Sequence, residues 1–106
     1  EDIIKPELNV YPNPTNGLLY IEYDFTTIND TYDDVLLEVM GVDAEPNCKQ
    51  GKISIYSNDG QLVKTLSLNK TKGMESINMQ DYKPASYMVE ITDCYGFTNS
   101  VNIVKQ

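Results

Sequence analysis

Apolar and polar residues alternate along much of the chain, and the clearest run lies near its C-terminal end. There Tyr87, Val89 and Ile91 alternate with more polar neighbours over residues 86–93. Residues two apart lie on the same face of a strand, so this spacing predicts a strand with one buried face. Pro84 cannot donate a hydrogen bond within a sheet and is therefore expected in the turn before it. We interpret the segment as a central strand.

Six further segments show the same alternation and are separated by turn-forming residues. They cover residues 18–25, 35–39, 52–57, 61–68, 74–79 and 100–104. Between the third and fourth of these, Asn58-Asp59-Gly60 predicts a tight hairpin in which glycine adopts the positive φ that the turn requires. Residues 9–17 contain two prolines and an Asn-Gly step and are expected to form a turn rather than a strand. Residues 1–8 show no usable period and are interpreted as a linker, with a loosely attached edge as the alternative.

About seven short strands at even spacing, without any helical period, indicate a β-sandwich or a β-barrel. Each strand has one apolar and one mixed face, as in sheets with one solvated side. We therefore predict an all-β fold, an immunoglobulin-like antiparallel sandwich of about seven strands. Tyr87, at the start of its strand, is similar to the tyrosine corner of such sandwiches, in which the hydroxyl bonds back to the backbone; a plain core tyrosine is the alternative.

Charge narrows the range of partners. The chain of 106 residues fits one domain and has 16 acidic and 8 basic residues, which gives a net charge of −8. Since no basic cluster occurs, neither nucleic acid nor direct insertion into an anionic membrane is expected. No apolar run approaches the roughly 20 residues needed to cross a bilayer. A monomer, or weak self-association, is expected.

Candidate chemistry is sparse. The chain has no histidine, so the usual zinc sites and His-dependent catalysis are excluded, and no enzyme activity or cofactor is expected. The acidic residues of the 26–34 segment lack both the spacing and the glycine of a calcium loop. If the strands that begin at Lys52 and Ser86 are antiparallel neighbours, Cys48 and Cys94 lie at the same end of the molecule. A disulfide between them and two separate thiols are both considered.

Three landmarks in this order resemble the C-terminal sorting domain of the type IX, or Por, secretion system. The proline-asparagine-proline opening followed by glycine is matched by Pro12, Asn13, Pro14 and Gly17. A tyrosine with glycine four residues later is matched by Tyr56 and Gly60. The late motif and the last turn are matched by the following residues: Tyr87 and Gly96. The resemblance covers residues 9–106, which we interpret as the sorting domain.

The chain departs from the family pattern at its C-terminal end. Tyr82 takes the place of a leucine and Ala85 the place of a glycine in the late motif. The basic residue that often precedes the final apolar run is missing, and Lys105 is the only late lysine. The segment 26–50 is also longer than is usual for the family.

The resemblance implies a function without chemistry. Such domains pass through the periplasm and direct an attached cargo through an outer-membrane translocon to the cell surface or the medium. The resemblance also implies two protein partners, the type IX translocon and a sortase-like peptidase. The peptidase is expected to cut the linker, here near residues 1–8. Bacteria of the Bacteroidetes type carry this system.

The alternative is an immunoglobulin-like carbohydrate-binding or accessory domain of a cell-surface protein. The eight tyrosines favour this alternative, because aromatic faces stack on sugars. The lack of tryptophan counts against it. An outward row of Tyr20 with Tyr56 on one sheet face would support this alternative.

Overall fold

The computed structural model describes residues 5–26 and 50–106. Within these ranges the chain forms seven strands. They are β1 (Glu7–Tyr11), β2 (Leu18–Asp24), β3 (Gly51–Ser57), β4 (Leu62–Leu68), β5 (Lys72–Asn78), β6 (Ala85–Asp93) and β7 (Thr98–Lys105). A predicted strand over residues 35–39 lies outside the described residues.

The strands form two sheets, one in the order β1-β2-β5 and the other in the order β4-β3-β6-β7. All pairs of strands within them are antiparallel. The predicted all-β, immunoglobulin-like sandwich is confirmed. β3 and β6 are neighbours, with Gly51 opposite Asp93 and Ser57 opposite Tyr87. The predicted central strand, β6, indeed lies inside its sheet.

The core lies between the sheets and is built by the alternation described above. Leu19, Ile21 and Tyr23 of β2 are buried, as are Val89 and Ile91 of β6. Burying an aliphatic side chain of this size contributes about 1.5–3 kcal/mol to the free energy of folding. The rest of the core is supplied by β1, β3, β4, β5, β6, β7 and the segments that adjoin the strands: Val10, Phe25, Ile53, Ile55, Leu68, Ile77, Met79, Tyr87 and Ile103.

The prediction for the start of the chain is wrong in one respect. Residues 9–11, expected to be part of a turn, belong to β1. Residues 7 and 8, expected to lie in a linker or a loosely attached edge, are the first two residues of this edge strand. β1 has only two inward positions, Leu8 and Val10, which is too short a run to show a period beside the prolines that follow. Pairing with β2 supplies the hydrogen bonds that the short pattern did not reveal.

The turns follow their local chemistry. The predicted hairpin between β3 and β4 is present, and Gly60 has φ of 86° within it. Ser57 and Gln61 close this turn through a backbone hydrogen bond of 2.8 Å. Between β6 and β7, Gly96 has φ of 92°. Residues with a Cβ rarely adopt such a backbone conformation.

Tyr87 forms the tyrosine corner rather than a plain core contact. Its ring is buried, and its hydroxyl donates a 2.7 Å hydrogen bond to the carbonyl of Lys83, four residues upstream. The ring of Tyr82 lies beside it, with centroids 5.6 Å apart. The corner fixes the turn that carries Pro84 against the start of β6.

Candidate recognition site

Residues 12–17, here named the opening turn, lie along the outer edge of the last strand. The side chain of Asn13 makes two hydrogen bonds to β7. Its amide Nδ2 donates to the carbonyl of Asn102 at 3.1 Å, and its Oδ1 accepts from the backbone N–H of Val104 at 3.0 Å. An asparagine side chain has the donor and acceptor of a peptide group, so Asn13 substitutes for a neighbouring strand residue.

Thr15 continues this pairing with its own backbone. Its N–H donates to the carbonyl of Val104 at 2.9 Å, and its carbonyl accepts from the N–H of Gln106 at 2.9 Å. The result is a parallel bridge between Thr15 and Lys105. The Thr15 hydroxyl also donates to the carbonyl of Leu18 at 2.8 Å, which ties the turn to the start of β2.

The opening turn therefore covers the outer edge of β7 at its C-terminal half. Nearer the start of β7, the side chain of Asn99 donates a 2.9 Å hydrogen bond to the carbonyl of Pro6. An open strand edge offers its backbone groups to other chains. Here the first and last parts of the domain satisfy one another's backbone hydrogen-bonding groups. These bonds join the two sheets on this side of the sandwich.

Most of the family-like residues lie at this end of the molecule. Ser57 is opposite Tyr87, and Ala85 is opposite Lys105, so the hairpin with Tyr56 and Gly60 adjoins β6 and β7 near the opening turn. Tyr56, Gly60 and Tyr87 line one shallow depression together with Asn102. Gly96 lies at the other end of β6, in the turn to β7. The motifs of the sequence identify these residues. They do not identify Thr15, Asn99 and Asn102, which are polar residues without a distinguishing pattern.

Lys105 is not an exposed basic residue. It is buried, and its Nζ donates a 2.9 Å hydrogen bond to the carbonyl of Gln106. Burial of a lysine requires a partner for its donors, so this side chain packs the end of β7 rather than offering a charge to another protein.

Asp93 stabilises the turn at the opposite end. One carboxylate oxygen, Oδ1, accepts from the N–H groups of Tyr95 and Phe97, each at 2.9 Å. The other, Oδ2, is buried and has no hydrogen-bond partner in the part of the chain that the structure describes. Burial raises the pKa of the Asp93 carboxyl above its ordinary value, and the backbone hydrogen bonds only partly oppose this.

Cys94 follows Asp93 and is disulfide-bonded. Cys48, the other cysteine of the chain, lies outside the described residues, as does most of the 26–34 segment weighed for calcium. The pairing of Cys48 with Cys94 stays a prediction.

The described residues contain neither a metal-binding cluster nor a membrane-spanning helix. Across residues 5–26 and 50–106, no group of three His, Cys, Asp or Glu side chains could hold a metal ion. No helix in these ranges is long and apolar enough to span a membrane. The outward row of Tyr20 and Tyr56 does not form, because β2 and β3 belong to different sheets, so the observation that would have supported the carbohydrate-binding alternative is absent from these ranges.

Comparison with known proteins agrees with the motifs. Residues 9–106 match the family described as the secretion system C-terminal sorting domain. No curated protein matches the chain. The family match spans nearly the whole sequence, including the opening turn, the hairpin after β3 and the terminal strand. The chain therefore belongs to the family of secretion system C-terminal sorting domains, which are type IX sorting signals.

Proposed function

We propose that this domain directs an attached cargo protein from the periplasm through the outer-membrane translocon of the type IX system. On this proposal a sortase-like peptidase then cuts within residues 1–6, before β1, and the cargo reaches the cell surface or the medium. The translocon and the peptidase are the proposed protein partners.

One observation supports the proposal most directly. The opening turn is hydrogen-bonded to the final strand through Asn13 and Thr15, so residues far apart in sequence form one surface. The tyrosine corner and the hairpin at Gly60 adjoin it. A partner that binds this end reads a folded structure, and an unfolded copy does not present it.

A fusion experiment tests the proposal. Residues 1–106 are attached to the C-terminus of a periplasmic reporter protein in a bacterium with the type IX system, so that Pro6 and all of β1 are included. The reporter is expected at the cell surface or in the medium. The matched controls are the reporter alone and the same fusion in a strain without the translocon. A reporter that stays in the periplasm of the competent strain would contradict the proposal.

Cleavage is tested on the same material. The N-terminal sequence of the domain released from the exported reporter is expected to begin at or before Glu7, the first residue of β1. A cut inside β1 or β2 would leave the opening turn without its neighbouring strand, and finding one would refute the proposed linker site.

A further inference from the structure

The outward face of the three-stranded sheet carries a cluster of apolar side chains. Six large apolar side chains are exposed in the described ranges, and three of them lie on this face: Tyr11 (36%), Leu18 (47%) and Met74 (53%). Tyr11 is opposite Tyr20 on the neighbouring strand, and their ring centroids are 5.7 Å apart. The Tyr11 hydroxyl lies 3.5 Å from the sulfur of Met74. Contiguous exposed apolar side chains of this kind mark interaction surfaces.

A single carboxylate lies within this cluster. Glu22 is opposite both Asn9 and Met74, and it accepts a hydrogen bond from the Tyr11 hydroxyl. This bond is the largest cause of the raised pKa of the Tyr11 phenol. Among the described residues no lysine is paired with Glu22, and the salt bridge of this face joins Lys72 to Asp24 at 3.9 Å. Within the described residues, Glu22 thus has a hydrogen bond from Tyr11 but no cation partner, at the edge of an aromatic pair.

Tyrosine rings beside an unpaired carboxylate suit one kind of cation. The guanidinium of arginine is planar, stacks on aromatic rings and forms paired hydrogen bonds with a carboxylate. The chain itself contains no arginine, because all 8 of its basic residues are lysines. Its net charge of −8 also disfavours a second copy as the occupant.

We propose that this face, defined by Tyr11, Leu18, Tyr20, Glu22 and Met74, docks an arginine-bearing surface of a protein of the export machinery. The inference rests on the proposed sorting function and names a further surface that the function uses, mostly on the strands that flank the opening turn. Glu22 pairs with the arginine, and the tyrosines and Met74 exclude water around the pair. Desolvated pairs of this type contribute much of the binding at protein interfaces.

Charge-specific variants of the reporter fusion test the inference. Glu22→Gln keeps an acceptor for the Tyr11 hydroxyl but removes the charge, and Tyr20→Ser with Met74→Ser removes the apolar surround. Each is expected to reduce the exported fraction about tenfold. Glu22→Gln loses one charge-assisted hydrogen bond, and the two serine substitutions expose that bond to water. Glu22→Asp is expected to retain export within about threefold, because it keeps the charge.

Matched changes on the outward face of the other sheet serve as controls. Glu90→Gln and Lys52→Ser alter a carboxylate and an exposed side chain there, away from Tyr56 and the opening turn, and are expected to leave export unchanged. Thermal unfolding of each purified domain must agree with that of the wild type. If the Glu22→Gln and Tyr20→Ser/Met74→Ser fusions are exported like the wild type, or if the controls lose as much, the inference is overturned.

Two other outcomes are distinguishable. If the wild-type fusion is not exported, the proposed function fails and this inference fails with it. If light scattering shows a dimer of the purified domain that Glu22→Gln dissociates, the occupant is a second copy and the proposed partner is wrong.

Discussion

At the scale of single residues, Asn13 replaces part of a β-strand. Its amide bonds Asn102 and Val104, which are 89 and 91 positions away in the sequence. A motif residue of the sorting family thus has a structural role that can be measured apart from export.

Replacing Asn13 by alanine is expected to destabilise the domain by about 1–2 kcal/mol, because two hydrogen bonds to the edge of β7 are lost. The Asn13→Asp substitution is also expected to destabilise the domain, because a carboxylate cannot donate a hydrogen bond to the carbonyl of Asn102. Denaturant unfolding measures the change in free energy, and the amide of Val104 should exchange its hydrogen faster. Asn9→Ala, an exposed change on β1, is the control; equal stability of the Asn13 and Asn9 variants would contradict the assignment.

Asp93 is the second residue with a measurable effect, and it concerns pH. Burial raises the pKa of its carboxyl in the folded state. The folded chain therefore binds this proton more tightly than the unfolded chain does. The stability that this residue contributes is fully present below the ordinary carboxyl pKa and is lost as pH rises through the raised folded value.

Asp93→Asn keeps an oxygen acceptor for the N–H groups of Tyr95 and Phe97 but cannot ionise. The difference in unfolding free energy between wild type and variant is therefore expected to shift in favour of the variant as pH rises through that window, by about 1.4 kcal/mol for each unit of pKa shift. Urea unfolding from acid to neutral pH measures it. A pH-independent difference would show that the carboxyl titrates normally.

At the scale of elements, the sequence located most strands through alternation alone, and the misses have identifiable causes. β2, β3, β4, β6 and β7 each have enough alternating positions to define a face. β1 does not, and its strand state depends on pairing with β2. For the recognition site, the motif residues could be chosen from the sequence, but the contacts of Thr15, Asn99 and Asn102 could not, because each depends on how distant strands lie together.

Two glycines differ in what the packing of strands allows. A Cβ on Gly51 would lie 2.9 Å from the carbonyl oxygen of Thr92 on β6 and 3.4 Å from the ring of Phe25. Around Gly17 the nearest atoms are 3.8 Å away. Gly51→Ala is expected to cost about 1–3 kcal/mol, since the obstructing atom belongs to a neighbouring backbone.

Gly17→Ala provides the matched control, with an expected change within about 0.5 kcal/mol. Thermal unfolding of the two variants compares them directly. Similar losses of stability would indicate that β3 and β6 can move apart, contrary to the packing described. If Gly17→Ala nevertheless reduces export of the fusion, this motif glycine serves recognition rather than folding.

At the scale of the whole molecule, stability depends on links between segments that are distant in the chain. The opening turn makes one such link, and the disulfide of Cys94 makes another. With Cys48 as the predicted partner, reduction is expected to lower the unfolding free energy by about 2–4 kcal/mol through the freedom gained by the unfolded chain.

Denaturant unfolding with and without reductant measures this effect, and mass spectrometry of the unreduced, digested protein identifies the bridged peptides. Cys48→Ser with Cys94→Ser should reproduce the reduced value. A stability that does not respond to reductant would contradict the prediction, as would a peptide map without the Cys48–Cys94 pair.

The sequence by itself determined the properties that are local. Alternation two residues apart sets the face of β2, β3, β4, β6 and β7, and Asn58-Asp59-Gly60 sets a hairpin. At Tyr87 the sequence left a tyrosine corner and a plain core contact open, and the hydrogen bond to Lys83 in the structure decides for the corner. Tertiary structure alone decided that Asn13 and Thr15 complete the edge of β7, that Lys105 and Asp93 are buried, and that Tyr20 and Tyr56 lie on different sheets. The physical reason is that burial and strand order depend on contacts between distant segments, which a short window of residues does not contain.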